Sequence, residues 1–315
     1  MFCSTIIATI ARPTLQRAVQ SVLDQDFPAG EHEVIVINDS GEPLPSEDWQ
    51  SHPSVRIVDT FRRERIFARN SGAAMARGRY LHFLDDDDWL LPGALQSFWD
   101  LAQDSHADWL YGVSQLVDRE GKPLIQLHHQ LKGNCFIKVM AGEWVPMQSS
   151  LIWAESFFAI GGFTSLLHAT QDVDLARRIG LRGDFAGTPA VVACIEMGQE
   201  HSSTNYARGP QWSRWAREKI LSEPGVFTRL RRSADDSFWV GRILRIYLTS
   251  AVWNLQKRRP LTAASRLMYA AAGFTLSGIN ILHFDYWRAV RGRYISPTFV
   301  HGFEAVTERQ MEATT

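Results

Sequence analysis

A short apolar segment, Tyr80–Leu84, runs directly into four consecutive aspartates, Asp85–Asp88. The apolar residues favour a buried strand, and a strand that ends this way places its charges at the carboxyl edge of a sheet, where open α/β folds bind ligands. Four adjacent carboxylates repel one another, and a hard divalent cation relieves that repulsion. A solvated acidic turn that caps a helix starting near Pro92 explains the same residues without a ligand, so the segment alone leaves both interpretations open.

Strand-like and helix-like segments alternate around this run. Apolar, β-branched residues predict strands at 4–10, 33–37 and 55–58, and apolar residues at helical spacing predict helices at 14–23 and 65–77. The second helix is rich in small residues, which lets a helix pack close to a sheet. Strands that alternate with helices at this pitch predict a parallel sheet with right-handed crossovers.

The pattern becomes mixed after the aspartates. Strands are predicted at 109–117 and 124–127 as an antiparallel pair, and then at 148–153 and 190–195. A helix is predicted to begin at Gln171 and to continue to about Leu181. From about Gly225 the chain is helical, basic and aromatic, so we predict a catalytic-type domain at 1–224 and a helical region at 225–315.

Charge is balanced overall but unevenly placed. The net charge is −1 and charged residues make up 21% of the chain, which argues against a general nucleic-acid binder. Residues 226–300 carry 12 Lys and Arg against 3 Asp and Glu, a net of +9. This asymmetry predicts that the C-terminal part meets an anionic surface or ligand.

Cellular location is predicted from what the sequence lacks. The three cysteines are far apart and form no CxxC pair, which fits a reducing compartment. We find neither a signal-peptide pattern nor a run of eighteen uncharged apolar residues. The sequence therefore predicts a cytoplasmic protein.

Six motifs occur in an order and spacing that resemble family 2 glycosyltransferases with the GT-A fold, over roughly residues 3–205. They are Ser21–Gln25, Val36–Ser40, Ala68–Gly72, Gly78–Asp88, Gly161–Phe163 and Gln171-Asp172. Each is weak alone, and together they are specific. The resemblance implies a mixed, mostly parallel central sheet flanked by helices. It also implies inverting transfer of a sugar from a nucleotide-diphosphate sugar, most often a UDP-sugar, to a glycan or lipid-linked acceptor in surface polysaccharide biosynthesis.

The resemblance also implies roles for the aspartates. Asp85 and Asp87 would form the DxD-type motif, with Asp87 ligating Mn²⁺ or Mg²⁺ and Asp85 contacting the ribose or the water shell of the metal. Asp86 is included among the donor-binding candidates, although it and Asp88 are equally interpretable as spectators, with Asp88 capping the next helix. His201 resembles the C-terminal histidine that completes the metal site in many GT-A enzymes, and a solvated loop histidine is the alternative.

Four further residues are candidates for the nucleotide pocket. Asp39 matches the position that binds nucleobase and ribose in similar enzymes, and an Asx-turn is the alternative. Arg69 would lie near the base or pyrophosphate, unless it is simply an exposed helix arginine. Thr9 and Arg12, where the first strand ends, are weaker candidates.

Asp172 is the predicted catalytic base, because an inverting transfer needs a carboxylate to take the proton of the acceptor hydroxyl. The family has a Glu-Asp pair here, and Gln171 replaces the glutamate. Asp174 is the nearest alternative base. A helix N-cap is a structural role for Asp172 that is compatible with catalysis.

A second motif, Gln211-Trp212-Ser213-Arg214-Trp215, matches the QxxRW pattern of processive β-glycan synthases. It predicts an acceptor-side helix in which Gln211, Arg214 and Trp215 contact the acceptor. Processive synthases thread their product through transmembrane helices, which are not evident in this sequence, so we do not infer polymerisation from the motif.

Aromatic and aliphatic residues of 238–253 can share one helix flank, with Arg242 and Arg245 on the other. Such a helix either packs on the catalytic domain or lies in a membrane interface, and contact of 238–300 with the inner face of the membrane is one prediction. Two other function classes stay open: a catalytically silent GT-A-like binding or scaffold protein, and a subunit of a processive synthase. A sugar nucleotidyltransferase is disfavoured because 10–14 contains no glycine, and GxGxxG and P-loop motifs are absent.

Overall fold

The computed structural model describes residues 1–164, 170–197, 209–292 and 294, with only the backbone described at 209–211. The strands are β1 (Cys3–Thr9), β2 (His32–Asn38), β3 (Val55–Asp59), β4 (Tyr80–Asp85), β5 (Trp89–Leu90), β6 (Trp109–Val117), β7 (Pro123–Leu127), β8 (Ser150–Trp153) and β9 (Phe185–Glu196). The α-helices are α1 (Leu15–Leu23), α2 (Arg65–Met75), α3 (Ala94–Asp104), α4 (Phe136–Ala141), α5 (Ala154–Ala159), α6 (Gln171–Gly180), α7 (Gly209–Ile220), α8 (Val226–Ser233), α9 (Ser237–Gln256), α10 (Pro260–Thr275) and α11 (Phe284–Arg291).

These strands form one sheet in the order β3-β2-β1-β4-β8-β6-β9-β5, and β7 pairs with β6 off this path. The pairings among β1, β2, β3 and β4 are parallel, as the alternation of strands and helices predicts. Beyond β4 the sheet is mixed: β8 is antiparallel to β4 and β6, whereas β9 is parallel to β6 and antiparallel to β5. The predicted antiparallel pair of β6 and β7 is confirmed.

Two strand boundaries differ from the prediction by two residues or more. β9 begins at Phe185 rather than at 190, because its first residues pair with Trp109–Tyr111 of β6. β8 begins at Ser150 rather than at 148, because Met147–Ser149 form a turn of 3₁₀-helix. Both errors arise where long-range pairing, and not local residue preference, decides where the strand begins.

The small residues of α2 allow the close approach that the sequence predicts. A Cβ atom on Gly72 would lie 2.4 Å from the side chain of Ile6 in β1 and 3.1 Å from that of Ile37 in β2. No side chain fits between helix and sheet at this point. The contact fixes α2 against the two strands whose carboxyl ends form the edge described below.

The helices after residue 225 pack on the α/β part of the chain. Leu230, Ile243 and Tyr247 are buried in the same hydrophobic cluster as Phe136 and Ile179. The hydrophobic core therefore extends across residue 225. The division of the chain into domains at this residue stays a prediction.

Within this region α9 lies between α10 and α11. The arginines predicted on the polar flank of α9 serve packing: Arg242 is buried and donates to the carbonyl of Ala289, and Arg245 donates to that of Val290 at 2.7 Å. These bonds satisfy carbonyls at the C-terminal end of α11. In the described ranges no helix combines the length and the apolar character needed to cross a bilayer.

Candidate active site

The carboxyl ends of β1, β2 and β4 meet at one edge of the sheet. Thr9 pairs in register with Asn38, and Ala8 with Asp85. Parallel pairing therefore brings together polar residues from three distant segments of the sequence. This is the edge at which the sequence predicts a ligand site.

Three of the four aspartates cluster there. Asp85, Asp87 and Asp88 each offer a carboxylate oxygen, and these oxygens lie within 4.8 Å of one another. The predicted helix-capping role of Asp88 is wrong, because its Oδ1 accepts the backbone N–H of Glu196 at 2.9 Å and α3 is preceded by Gly93. The carboxylate of Asp88 lies beside those of Asp85 and Asp87, which makes it a further candidate ligand, and its interpretation as a spectator stays open.

The charges of this cluster are only partly compensated. Burial, together with the negative charges of Asp85 and Asp87, raises the pKa of Asp88 well above its usual range. Burial would also raise the pKa of Asp85, but Arg69, with Arg65 and Arg12 nearby, lowers it overall. A hard cation with a preference for oxygen ligands fits this donor set, because it would relieve the repulsion that makes ionised Asp88 costly.

Asp86 points to a different set of partners. Its Oδ2 accepts the hydroxyl of Thr9 at 2.6 Å and its Oδ1 accepts Arg12 at 2.7 Å. Arg12 also donates to Asp87 at 2.9 Å. Thr9, Arg12 and Asp86, all predicted to bind the donor, therefore form a partly buried network that positions the aspartate run.

Asp39 holds a loop with one oxygen. Its Oδ1 accepts the hydroxyl of Thr60 at 2.6 Å and the backbone N–H groups of Arg62 and Arg63. The Asx-turn that the sequence offered as an alternative is made instead by Asn38, whose Oδ1 accepts the N–H of Ser40. Among the described residues no hydrogen-bond donor is assigned to Oδ2 of Asp39, so this oxygen is oriented and available.

Arg69 connects the aspartates to α6. Its guanidinium donates to Oδ1 of Asp85 and, at 3.0 Å, to Oε1 of Gln171. The side chain is buried, so the alternative of an exposed helix arginine is wrong. On the other side, Gln148 donates to Oδ2 of Asp85 at 2.9 Å. Gln171 thus accepts a hydrogen bond from Arg69 through a neutral amide oxygen, where a glutamate would accept it through a negatively charged carboxylate oxygen.

Asp172 lies in the first turn of α6 and is held at both oxygens. Its Oδ1 accepts the backbone N–H of Val173 at 2.9 Å, and its Oδ2 accepts the indole N–H of Trp144. Burial raises the pKa of Asp172, and these two donors offset part of the increase. The N-cap position belongs to Thr170, so Asp172 is not the cap of this helix.

The remaining predicted residues divide by location. Asp174 forms an ion pair with Arg178 at 2.8 Å, whereas both donors to Asp172 are neutral, so Asp172 remains the candidate base. His201 lies outside the described residues, as does the side chain of Gln211. Arg214 pairs with Glu218 at 2.9 Å and donates to the carbonyl of Thr249 in α9. These bonds direct Arg214 toward the C-terminal helices.

Sequence reasoning missed Gln148 and Trp144, although both contact predicted site residues. Gln148 lies at the start of the predicted strand 148–153, where a side chain is expected to follow the pleat and not to reach a ligand edge. Trp144 lies two residues after Gly142, the residue at which α4 ends. Neither residue type nor spacing marks these positions, because both contacts depend on tertiary packing.

Comparison with known proteins agrees with this architecture. The family model "Glycosyl transferase family 2" matches residues 4–161. Two curated relatives match shorter segments: the poly(ribitol-phosphate) β-N-acetylglucosaminyltransferase TarP of Staphylococcus aureus is 28% identical over 103 residues, and a GalNAc(5)-diNAcBac-PP-undecaprenol β-1,3-glucosyltransferase of Campylobacter jejuni is 31% identical over 129 residues. The matches cover 31% and 38% of this chain and only 32% and 39% of those proteins.

A solved structure resembles the whole chain. S. aureus TarS 1–349 in complex with UDP-GlcNAc superposes with a TM-score of 0.58 and 14% sequence identity, and the match covers 94% of this chain and 93% of that one. At this level of identity the likeness concerns the fold alone. It confirms the predicted GT-A type of α/β architecture.

Proposed function

The chain belongs to glycosyl transferase family 2, and from this membership and the site geometry we propose that it is an inverting, metal-dependent glycosyltransferase. Its donor is a nucleotide-diphosphate sugar, with a UDP-sugar favoured, and its acceptor is a glycan or lipid-linked glycan of a surface polysaccharide. The observation that carries the proposal is the position of Arg69, which bonds Asp85 and also Gln171, the neighbour of Asp172. The guanidinium of Arg69 therefore lies between the carboxylates that could bind a metal and the candidate base, Asp172.

Asp85, Asp87 and Asp88 would hold Mn²⁺ or Mg²⁺, with His201 as a proposed further ligand. When bound, the cation supplies a Lewis acid that stabilises the departing diphosphate. Arg69 and Arg12 orient Asp85 and Asp87 in its absence, and the backbone N–H of Glu196 orients Asp88. The cluster then needs little reorganisation when the cation and donor enter.

Asp172 takes the proton from the acceptor hydroxyl. The hydroxyl oxygen forms its bond to the anomeric carbon while the bond from that carbon to the diphosphate breaks, so a single displacement inverts the configuration. Burial raises the pKa of Asp172 and so makes the ionised carboxylate a stronger base. Trp144 fixes its orientation through the indole N–H.

The nucleoside is assigned to the β2 end of the edge. Oδ2 of Asp39 is the acceptor that fits a ribose or base donor group, since Oδ1 is already occupied. Preference for uridine is supported by the shared fold with TarS, which was crystallised with UDP-GlcNAc. Thr9, Arg12 and Asp86 contribute by shaping the wall beside the phosphates.

Release of nucleoside diphosphate tests the proposal. A panel of nucleotide sugars is incubated with wild type, Asp87→Asn, Asp172→Asn and the exposed control Asp100→Asn, with Mn²⁺ or with EDTA. We expect slow, metal-dependent hydrolysis of one donor by wild type and Asp100→Asn, with a loss of about 100-fold or more in the two site variants. Turnover that is equal in EDTA, or equal in Asp87→Asn, refutes the metal site.

We also propose that the C-terminal helices meet the cytoplasmic face of an anionic membrane. The exposed face of α10 carries no charge, and Leu261 and Met268 on it are 87% and 74% exposed, whereas Arg266 of the same helix is buried. Exposed Lys257, Arg258 and Arg259 precede this face. An apolar face flanked by cations matches the boundary between acyl chains and anionic headgroups.

Vesicle flotation tests the membrane proposal. Wild type is expected to float with phosphatidylglycerol vesicles and to remain at the bottom with phosphatidylcholine, and Met268→Ser is expected to float less. Absence of flotation with anionic vesicles contradicts the proposal. Concentration-dependent dimerisation that Met268→Ser abolishes, without flotation, would assign the face to a second copy of the chain instead.

A further inference from the structure

A cavity of about 240 Å³ opens between α7, α9 and α10. Two tryptophans, Trp215 and Trp253, form part of its wall, and Lys219, Arg259, Asn254 and Thr262 add charged and polar groups. Such a mixture of aromatic faces and converging polar groups is typical of small-molecule sites. None of these residues contributes to the aspartate edge or to Asp172.

Trp215 faces this cavity and not the candidate base. Two positions before it, the side chain of Ser213 faces α6, where Arg177 donates to its hydroxyl at 3.2 Å and to its backbone carbonyl at 3.0 Å. Successive residues of an α-helix are rotated by about 100°, so Ser213 and Trp215 point in nearly opposite directions. The tryptophan of the QxxRW-like motif therefore belongs to the C-terminal helices and lies on the side of α7 turned away from α6.

The cavity has an excess of positive charge. Glu218 in its wall is already compensated by Arg214 at 2.9 Å and by Arg266 at 4.0 Å. Among the described residues, Lys219 and Arg259 take part in no ion pair, and both are exposed. Arg259 lies 5.9 Å and Lys257 6.0 Å from the ring of Trp253, so the aromatic wall is bordered by cations.

We propose that this cavity binds a sugar phosphate segment, with Trp215 or Trp253 against the apolar face of the sugar ring and Lys219 and Arg259 on the phosphate. Indole faces stack on the C–H face of sugar rings, and guanidinium and ammonium groups recognise phosphate oxygens. The site is distinct from the transfer site. Its use as an anchor for a phosphate-containing acceptor rests on the proposed transferase function, but binding itself does not.

Fluorine NMR of protein labelled with 5-fluorotryptophan tests the proposal in the full chain. The resonances of Trp215 and Trp253 are assigned with the variants Trp215→Phe and Trp253→Phe. The probes are N-acetylglucosamine 1-phosphate, N-acetylglucosamine and inorganic phosphate. We expect the sugar phosphate to shift both resonances saturably, with affinity at least about tenfold above that of either fragment. Arg259→Gln should weaken binding about tenfold, and the exposed control Arg119→Gln should not.

Several results would overturn the proposal. They are an absence of shifts at both resonances, shifts with N-acetylglucosamine or with inorganic phosphate that equal those with the sugar phosphate, and unchanged affinity in an Arg259→Gln variant whose spectrum shows that it is folded. Phosphatidylglycerol vesicles that shift the same resonances in place of the sugar phosphate would reassign the cavity to a lipid headgroup. Asp87→Asn is expected to retain the shifts while it loses donor turnover, so failure of transfer and failure of this site are distinguishable.

Discussion

His82 lies in the middle of β4 with its ring fully buried, and we expect it to make the protein less stable as the pH falls. Its Nε2 faces the carbonyl of Gln148 at 2.9 Å and its Nδ1 faces the hydroxyl of Thr5 at 3.1 Å. A carbonyl only accepts, so Nε2 carries the proton and Nδ1 accepts from Thr5. Both nitrogens of the neutral ring therefore have a hydrogen-bond partner. A second proton, on Nδ1, would point at the hydroxyl hydrogen of Thr5, and that hydroxyl would have to rotate to accept it.

The magnitude follows from the pKa. Burial lowers the pKa of His82 from 6.5 to about 4, although the Gln148 carbonyl offsets part of the shift. Because the folded state binds this proton less readily than the unfolded chain, the stabilisation is complete above the unfolded pKa and is lost as the pH falls toward the folded one. Linkage gives a loss of about 2 kcal/mol of unfolding free energy between about pH 7.5 and about pH 5.

Urea unfolding at both pH values measures this loss in wild type and in His82→Gln, which keeps a planar hydrogen-bonding group that does not titrate. The variant is expected to be less stable at neutral pH but to lose about 2 kcal/mol less on acidification. Exposed His106→Gln controls for removal of a histidine and should behave as wild type does. Equal acid-induced losses in wild type and His82→Gln would refute the assignment to this ring.

Three further perturbations follow from the same contacts. Trp144→Phe removes a donor to the carboxylate of Asp172, so the pKa of Asp172 should rise further and the acid limb of the pH–rate profile should move to higher pH. An acid limb that does not move contradicts the role of Asp172 as the base. Arg69→Lys cannot bridge both of its partners, and we expect kcat/KM to fall about 100-fold with little change in thermal stability. Gly78→Ala would place Cβ 2.4 Å from the backbone nitrogen of Ser4, and urea unfolding should show a loss of about 1–3 kcal/mol or more.

Local patterns were sufficient for the first half of the fold. Apolar runs predict β1, β2 and β4, and the rule that open α/β sheets bind ligands at the carboxyl edge of their strands predicts the position of the aspartate run. The small residues of α2 predicted its close packing, which the contact of Gly72 with Ile6 confirms. Each of these inferences depends on neighbours in sequence or on a general rule of sheet topology.

The remaining details depend on partners far along the chain. The helix cap predicted for Asp88 is wrong because its partner, Glu196, is 108 residues away, and the buried position of Arg69 depends on Gln171, which lies 102 residues beyond it. The direction of Trp215 follows from which face of α7 packs on α6. A motif gives the identity of such residues, whereas tertiary packing decides what they face.

Among the described strands β9 is synthesised last, and it holds the end of the aspartate run. Trp89 of β5 pairs with Cys194 of β9, and Asp88 accepts the N–H of Glu196 in the same strand. A nascent chain that has emerged as far as β8 already contains all four aspartates, but it lacks the N–H of Glu196 that Asp88 accepts, and the turn bond from the Asp88 N–H to the Asp85 carbonyl is left to order that end of the run. The proposed metal site should therefore be completed late in translation, because a chain stalled before β9 lacks the strand that positions Asp88.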